Sequence, residues 1–404
     1  MPETAKTIVW KTSSDNIKVA SVRIRCILPA QALQERGFKS VLISGNETVP
    51  SFDGLCAIIF VKTFSQHDLK LARAAISHGV TVYLDLCDNI FIPHYRHSKA
   101  YNRFTDMADL AKAVVTTGKE LAGLIKAQLD AGVEVVVIPD QFEVRQDLRK
   151  LKNYVKQIKP SIPFMRLRSI RDNFLPRTKA LLASFRNELI WMCLRVRNGV
   201  RESFRSGCVR LQFFSIGSDL PSDFLRAKAK MVVWFGNAGG GFSGFGMPSL
   251  AEISNHLVRL NERIPIKLLV VSNNLKSYQE LIAPLPLLSA YKAWRYPAIF
   301  NDVSAASVCV VPNSKDDFSV CKSPNRSLLA LSLGVPVVAS SIPSIEDIKD
   351  CVILDDWEDG LFTYLTDPER VARDLARAKS ILEERYSGAA VADSWAAVLR
   401  SAEF

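Results

Sequence analysis

The stretch VVPNSKDDFSVCKSPNRSLLALSLGVPVVAS, residues 310–340, packs a strand, a loop, a helix and a second strand into one short unit. Positions 308–312 are apolar and mostly β-branched, 323–333 carry helical spacing closed by Gly334, and 335–339 are β-branched again. A unit of this kind makes two parallel strands, and in an open parallel sheet ligands bind beyond the carboxyl ends of the strands. The loop after Val311 is therefore where a binding site belongs. Ser323 suits an N-cap and Pro324 a first helical position, leaving free amides at a helix start that favour an anion. Lys322 and Arg326 flank that turn, the first as a point charge and the second as a planar fork suited to phosphate oxygens.

The same grammar extends in both directions. Upstream of the quoted stretch, strands are expected at 231–235 and 266–271 with a helix at 248–261 between them, and helices follow it at 368–385 and 389–400. The first part of the chain alternates in the same way. Strands are expected at 7–10, 40–44, 57–61, 81–85, 114–116 and 133–138, with helices at 23–36, 66–77 and 119–129. Continuous apolar strands between helices predict parallel sheets covered on both faces, so the fold class is α/β with two Rossmann-like domains. The expected partition is 1–144 for the first domain, 145–230 for a helical insertion, 231–387 for the second domain and 388–404 for a terminal helix packing back towards the first.

At 404 residues and 48% apolar content the chain is long enough for two cores. Its net charge of +11 is concentrated: Arg145 to Lys230 holds 20 Lys plus Arg against 6 Asp plus Glu, leaving the remainder near neutral. Within it, residues 181–214 interleave Arg with Leu, Phe, Trp and Val at helical spacing, a pattern suited to lying on an anionic bilayer. No recognisable nucleic-acid module accompanies the charge, so nucleic acid is not an expected partner. Eight cysteines lack metal-ligand spacing and a disulfide framework, and are read as reduced thiols. The N-terminus has no signal-peptide pattern and no apolar run is long enough to span a bilayer. The expected location is cytoplasmic, with possible peripheral contact at the inner face of the membrane.

A resemblance becomes specific at the turn K-S-P-N-R, residues 322–326, followed by G-V-P-V-V-A-S at 334–340. Together they resemble the donor-site segment of GT-B nucleotide-sugar glycosyltransferases, especially family-4-like enzymes of bacterial surface polysaccharide assembly. D-L-C-D-N-I-F at 85–91, I-P-D at 138–140, W-F-G-N at 234–237 and D-V-S-A-A-S-V-C-V-V-P at 302–312 are similar in the same order. The likeness covers nearly the whole chain apart from the basic segment. It implies two Rossmann-like domains facing a cleft, a UDP- or GDP-linked sugar as donor, a glycan or lipid-linked acceptor, and neither cofactor nor metal. By that likeness Arg326 contacts the donor diphosphate, with Lys322, Ser323 and Asn325 beside it. The family's two glutamates in this segment are replaced by Cys321 and Leu329, and Asp316 and Asp317 are candidates to substitute for the first. Epimerisation of a nucleotide sugar on the same fold, or a catalytically silent scaffold binding glycan or membrane, are the alternative readings.

Three further groups complete the candidates. The loop GNAGGGFSGFG at 236–246 follows a strand, and its Gly236, Asn237, Gly239 and Gly240 allow close backbone approach to a phosphate or sugar. Arg23 and Arg25, after the first strand, are candidates for the acceptor. Asp88 and His94 are candidates for the catalytic base, alongside Asp85 and His97. No third ligand accompanies the two histidines, so a metal is not expected.

Overall fold

The structure, a computed structural model, describes residues 6–96, 99–129, 132–146, 148–160, 220–239 and 244–401. The basic stretch 181–214, His97 and Gly240 lie outside them. The described residues contain two six-stranded sheets in which every strand pair is parallel.

The first sheet is built from β1 (Lys6–Thr12), β2 (Phe38–Ser44), β3 (Leu55–Val61), β4 (Thr81–Leu86), β5 (Ala113–Thr116) and β6 (Glu134–Val137), in the spatial order β2-β1-β3-β4-β5-β6. Its central strands are buried on both faces, as their unbroken apolar runs require. The second contains β7 (Lys230–Gly236), β8 (Ile266–Ser272), β9 (Ser289–Ala293), β10 (Val308–Val311), β11 (Val337–Ala339) and β12 (Ile353–Leu354), in the order β12-β11-β10-β7-β8-β9. β10 and β11 pair in register from Cys309 with Val337 to Val311 with Ala339, so the quoted stretch is the strand–helix–strand crossover it reads as.

Several expected elements change shape. The helix expected at 23–36 begins at Ala20 and contains a π turn, Arg23–Ile27, before continuing as Leu28–Gln34. All five residues of that turn are buried, because the extra residue rotates Arg23 and Arg25 onto the inner face. The helix expected at 248–261 is broken at Ile253 into Met247–Glu252 and Ser254–Arg263.

Helix Pro368–Ile381 passes through a second π turn, Leu382–Tyr386, into helix Gly388–Arg400, whose start is capped by the Ser387 side chain. That last helix lies against the first sheet. Trp395 meets Trp10 of β1 edge-on with ring centroids 5.4 Å apart, and Tyr83 of β4 donates its hydroxyl to the Val398 carbonyl at 2.9 Å. Where the chain crosses over, Phe142 N donates to the Tyr386 carbonyl. Among the described residues no helix is long and apolar enough to cross a membrane, and Cys26, Cys56, Cys87, Cys309, Cys321 and Cys351 are free thiols.

Candidate functional site

The carboxyl ends of the two sheets face a shared cleft. A cavity of about 400 Å³ lies there, lined from one side by Arg25, Lys62, Asp88 and Asp140 and from the other by Gly236, Asn237, Lys322 and Asn325–Ser327.

The turn at its centre differs in detail from the sequence expectation. The helix spans Asn325–Ser332, so Pro324 rather than Ser323 sits at the N-cap, and no side chain caps it. Lys322 N donates to the Ser319 carbonyl in a tight turn just before the helix, whose N-cap falls one residue later than expected. The first amides of the helix have no side chain of their own on them, and the helix start is left open to an anion.

Arg326 reaches the cavity wall with its guanidinium on two neutral acceptors, Asn313 Oδ1 at 2.6 Å and the Pro312 carbonyl at 3.4 Å. Among the described residues it has no carboxylate partner. Desolvation therefore acts on it nearly unopposed and pushes its pKa down to about 10, the mark of a cation lacking its counterion. Beside it Ser327 is fully buried, lines the same cavity, and its hydroxyl has no hydrogen-bond partner among the described residues. Gly236 lies directly beside Arg326. Its φ is 153°, and a Cβ on it would come within 3.4 Å of Arg326 Cδ.

Lys322 crosses the cleft to Asp88, which also receives Lys62 Nζ. Its ammonium lies 4.0 Å from the Phe318 ring centroid, a cation–π contact. Burial alone would raise the Asp88 carboxyl, but the Lys322 and Lys62 charges outweigh it and hold it below the ordinary range. A carboxylate clamped by two ammonium groups suits an ion tie better than proton abstraction near neutral pH. Nothing in the sequence marked Lys62. The structure holds it at φ 50°, a left-handed conformation uncommon for a residue with a Cβ, with its N–H on the Asp85 carbonyl. That geometry turns its ammonium into the cleft.

Asn325 Nδ2 donates across the cleft to Asp140 Oδ2 at 2.6 Å, and Asp140 Oδ1 accepts from Arg25 at 3.0 Å. Arg25 also grips Asp85 through two nitrogens and donates to the Ile138 carbonyl. Burial would lower its pKa, but Asp85 and Asp140 outweigh that and keep it charged. Of the two arginines named as candidates for the acceptor, Arg25 lines the cavity, and the side chains of both are engaged within the protein. Arg25 is 1% exposed and orients Asp140, while Arg23 is spent on Glu143, the Ile17 carbonyl and the Tyr296 ring.

Other candidates fall away from the cavity. Asp316 accepts from Ser314 Oγ, Phe318 N, Ser319 N and Gly244 N, so its carboxylate pins two loops together rather than presenting itself to a sugar. Asp317 is exposed and contributes its carbonyl to Asn89. Gly239 does not line the cavity. Its φ is 100°, and a Cβ there would lie 2.2 Å from the Phe245 carbonyl, so it serves the loop's own closure. The amides of Ala238 and Gly239 are already taken by Asn273 and Asn237 side chains. His94 is absent from the cavity lining and packs edge-on against Tyr95. Cys321 and Leu329 are both buried. Among the described residues no group of three His, Cys, Asp or Glu is placed to hold a metal ion.

No family model and no curated protein matches the chain. Solved structures do. A glycosyltransferase from Rickettsia africae matches with a TM-score of 0.60 at 11% identity, over 99% of each chain. Anabaena HepE, solved with UDP and glucose, matches with a TM-score of 0.56 at 12% identity, covering 98% of this chain and all of that one. Sucrose-phosphate synthase from Thermosynechococcus elongatus matches with a TM-score of 0.52 at 12% identity over 98% of each chain. Two parallel six-stranded sheets that meet at their carboxyl ends, superposing end to end on these proteins, give this chain the GT-B fold.

Proposed function

We propose that the chain transfers a sugar from a nucleoside-diphosphate donor to a hydroxyl of a glycan or lipid-linked acceptor, in the cleft between its two sheets. One observation carries the reading: Arg326 stands at the cavity wall with, among the described residues, no acidic partner, at a helix start that no described side chain caps. The guanidinium and the helix-start amides are groups that an entering diphosphate satisfies. As the sugar leaves, charge grows on the β-phosphate, and Arg326 with Lys322 stabilises it where it develops. Lys322 must exchange Asp88 for the phosphate to do so.

The solved neighbours agree in kind, since HepE holds UDP with glucose and a pneumococcal O-GlcNAc transferase holds UDP with GlcNAc. The experiment is a thermal-shift and calorimetry panel of UDP, GDP and CMP with their sugars. At least one is expected to bind and to raise the melting temperature, and a flat response to all of them sinks the reading. A second reading, epimerisation of the nucleotide sugar, is favoured by a structural match to an epimerase-like protein from Listeria monocytogenes at 9% identity and a TM-score of 0.50. Product analysis without acceptor separates the two. Cytoplasmic placement against an anionic membrane completes the proposal. It is supported by the sequence of 181–214 and by exposed Lys150, Lys152 and Lys156 on helix Leu148–Ile158. Failure to float with anionic liposomes at low salt removes that part.

A further inference from the structure

Asp88 serves two cations at once. Lys322, from the turn before the helix of the second domain, donates to its Oδ1, and Lys62, directly after β3, donates to its Oδ2, so one carboxylate carries an ammonium on each oxygen. All three residues line the cavity of about 400 Å³. We propose that Lys62 is a positioning residue: it stays on Asp88 when Lys322 leaves, and so keeps Lys322 releasable to an entering anion. That the anion is a donor diphosphate rests on the function proposed above, whereas the competition at Asp88 does not.

Three observations carry this role. The first is burial: the Asp88 side chain is 19% exposed, against 39% for Lys62 and 30% for Lys322. A carboxylate so placed is costly to leave unpaired, and among the described residues these two ammonium groups are its cations. With Lys62 present, the departure of Lys322 leaves Asp88 a counterion and takes Lys322 away from a like charge on the same carboxylate. The second is where Lys322 rests. Its ammonium lies 4.0 Å from the Phe318 ring centroid and 5.5 Å from that of Phe245, both on its own side of the cleft, and neither contact depends on Asp88. The third is the backbone. Lys62 is held at φ 50°, which strains a residue with a Cβ and which glycine adopts freely. Strain retained at a cavity wall marks a side chain that the site uses.

The test treats the full chain with acetic anhydride and follows acetylation of Lys322 by peptide mass spectrometry, with UDP and GDP affinities measured by calorimetry on the same variants. Lys62→Met should slow Lys322 acetylation about three- to fivefold, the scale of one part-exposed charge pair, and weaken nucleotide binding by a similar factor. Lys62→Arg, which keeps the charge, should restore both. Added to Asp88→Asn, Lys62→Met should change neither, because the carboxylate through which Lys62 acts is gone. Lys62→Gly should weaken the nucleotide as Lys62→Met does and melt no lower than Lys62→Met, since glycine relieves the strained φ. Lys322 acetylation unchanged or faster in Lys62→Met and Lys62→Gly overturns the proposal, as does a loss of nucleotide affinity that persists in full on Asp88→Asn. The acetylation pattern without binding of UDP or GDP keeps the competition at Asp88 and removes the donor reading instead.

Discussion

Replacing Arg326 with Met separates binding from stability in a way that only an uncompensated cation allows. A pKa pushed down to about 10 by desolvation corresponds to at most about 3 kcal/mol of cost to the folded state. Screening at the cavity wall reduces that to about 1–2 kcal/mol. Removing the guanidinium relieves this cost but leaves Asn313 Oδ1, now holding Arg326 at 2.6 Å, without its donor, a loss of about 1–2 kcal/mol. The two nearly cancel, so the melting temperature of ligand-free Arg326→Met should stay within about 3 °C of wild type. Donor binding should behave quite differently. Two charge-assisted hydrogen bonds to a diphosphate, at about 1.5–3 kcal/mol each, predict a 10²- to 10⁴-fold weaker Kd for the nucleotide, and a comparable fall in kcat/KM. Differential scanning calorimetry and isothermal titration with UDP give both numbers on one preparation. A loss of 8 °C or more with nucleotide affinity intact would show that Arg326 is a structural residue and refute the argument.

Further outcomes follow from the same geometry. Gly236→Ala should cost about 1 kcal/mol in urea unfolding because of its φ of 153°, with UDP affinity nearly unchanged, since the added carbon lands in ordinary contact, 3.4 Å from Arg326 Cδ. Asp88→Asn should free Lys322 and tighten UDP severalfold; a fall in turnover with unchanged UDP affinity would mark Asp88 as a base instead. Because the Asp88 carboxyl is held below its ordinary range, its stabilisation is present above the unfolded pKa and lost as pH falls through the folded one. The melting difference between wild type and Asp88→Asn should therefore be constant from pH 7 to 5 and shrink below about pH 4. Trp395→Ala should cost about 3–5 kcal/mol, read as earlier urea unfolding of the first sheet's core.

The central strands of both sheets were legible because a strand covered on both faces must be apolar without interruption, and Ile58–Val61 or Leu268–Val271 leave no other reading. Edge strands escape that rule. Ser289–Ala293 and Ile353–Leu354 each pair on one side only and need no such run, so neither stood out. In the site, the K-S-P-N-R turn was visible through local chemistry: a loop after a strand, a helix start and two cations. Arg25 was singled out but its pairing with Asp85 and Asp140 was not, because they lie 60 and 115 positions away, and a π turn decides which way it points. Lys62 depends on one backbone angle, and Ser327 on the absence of a partner. Neither leaves a trace in residue order.

The seating of helix Gly388–Arg400 on the first sheet has a consequence for how the molecule is made. Trp10 belongs to β1, the earliest strand of that sheet to be made, and its ring meets Trp395 of a helix made after every strand of both sheets. At about 5–20 residues per second, the roughly 250 residues from the last strand of that sheet to Trp395 take about 10–50 s to emerge from the ribosome. Throughout that interval the first sheet has all its strands, but Trp10 lacks the indole that packs against it. The order of synthesis thus reverses the order of completion: the second sheet can close first, and the first waits for the helix that follows it.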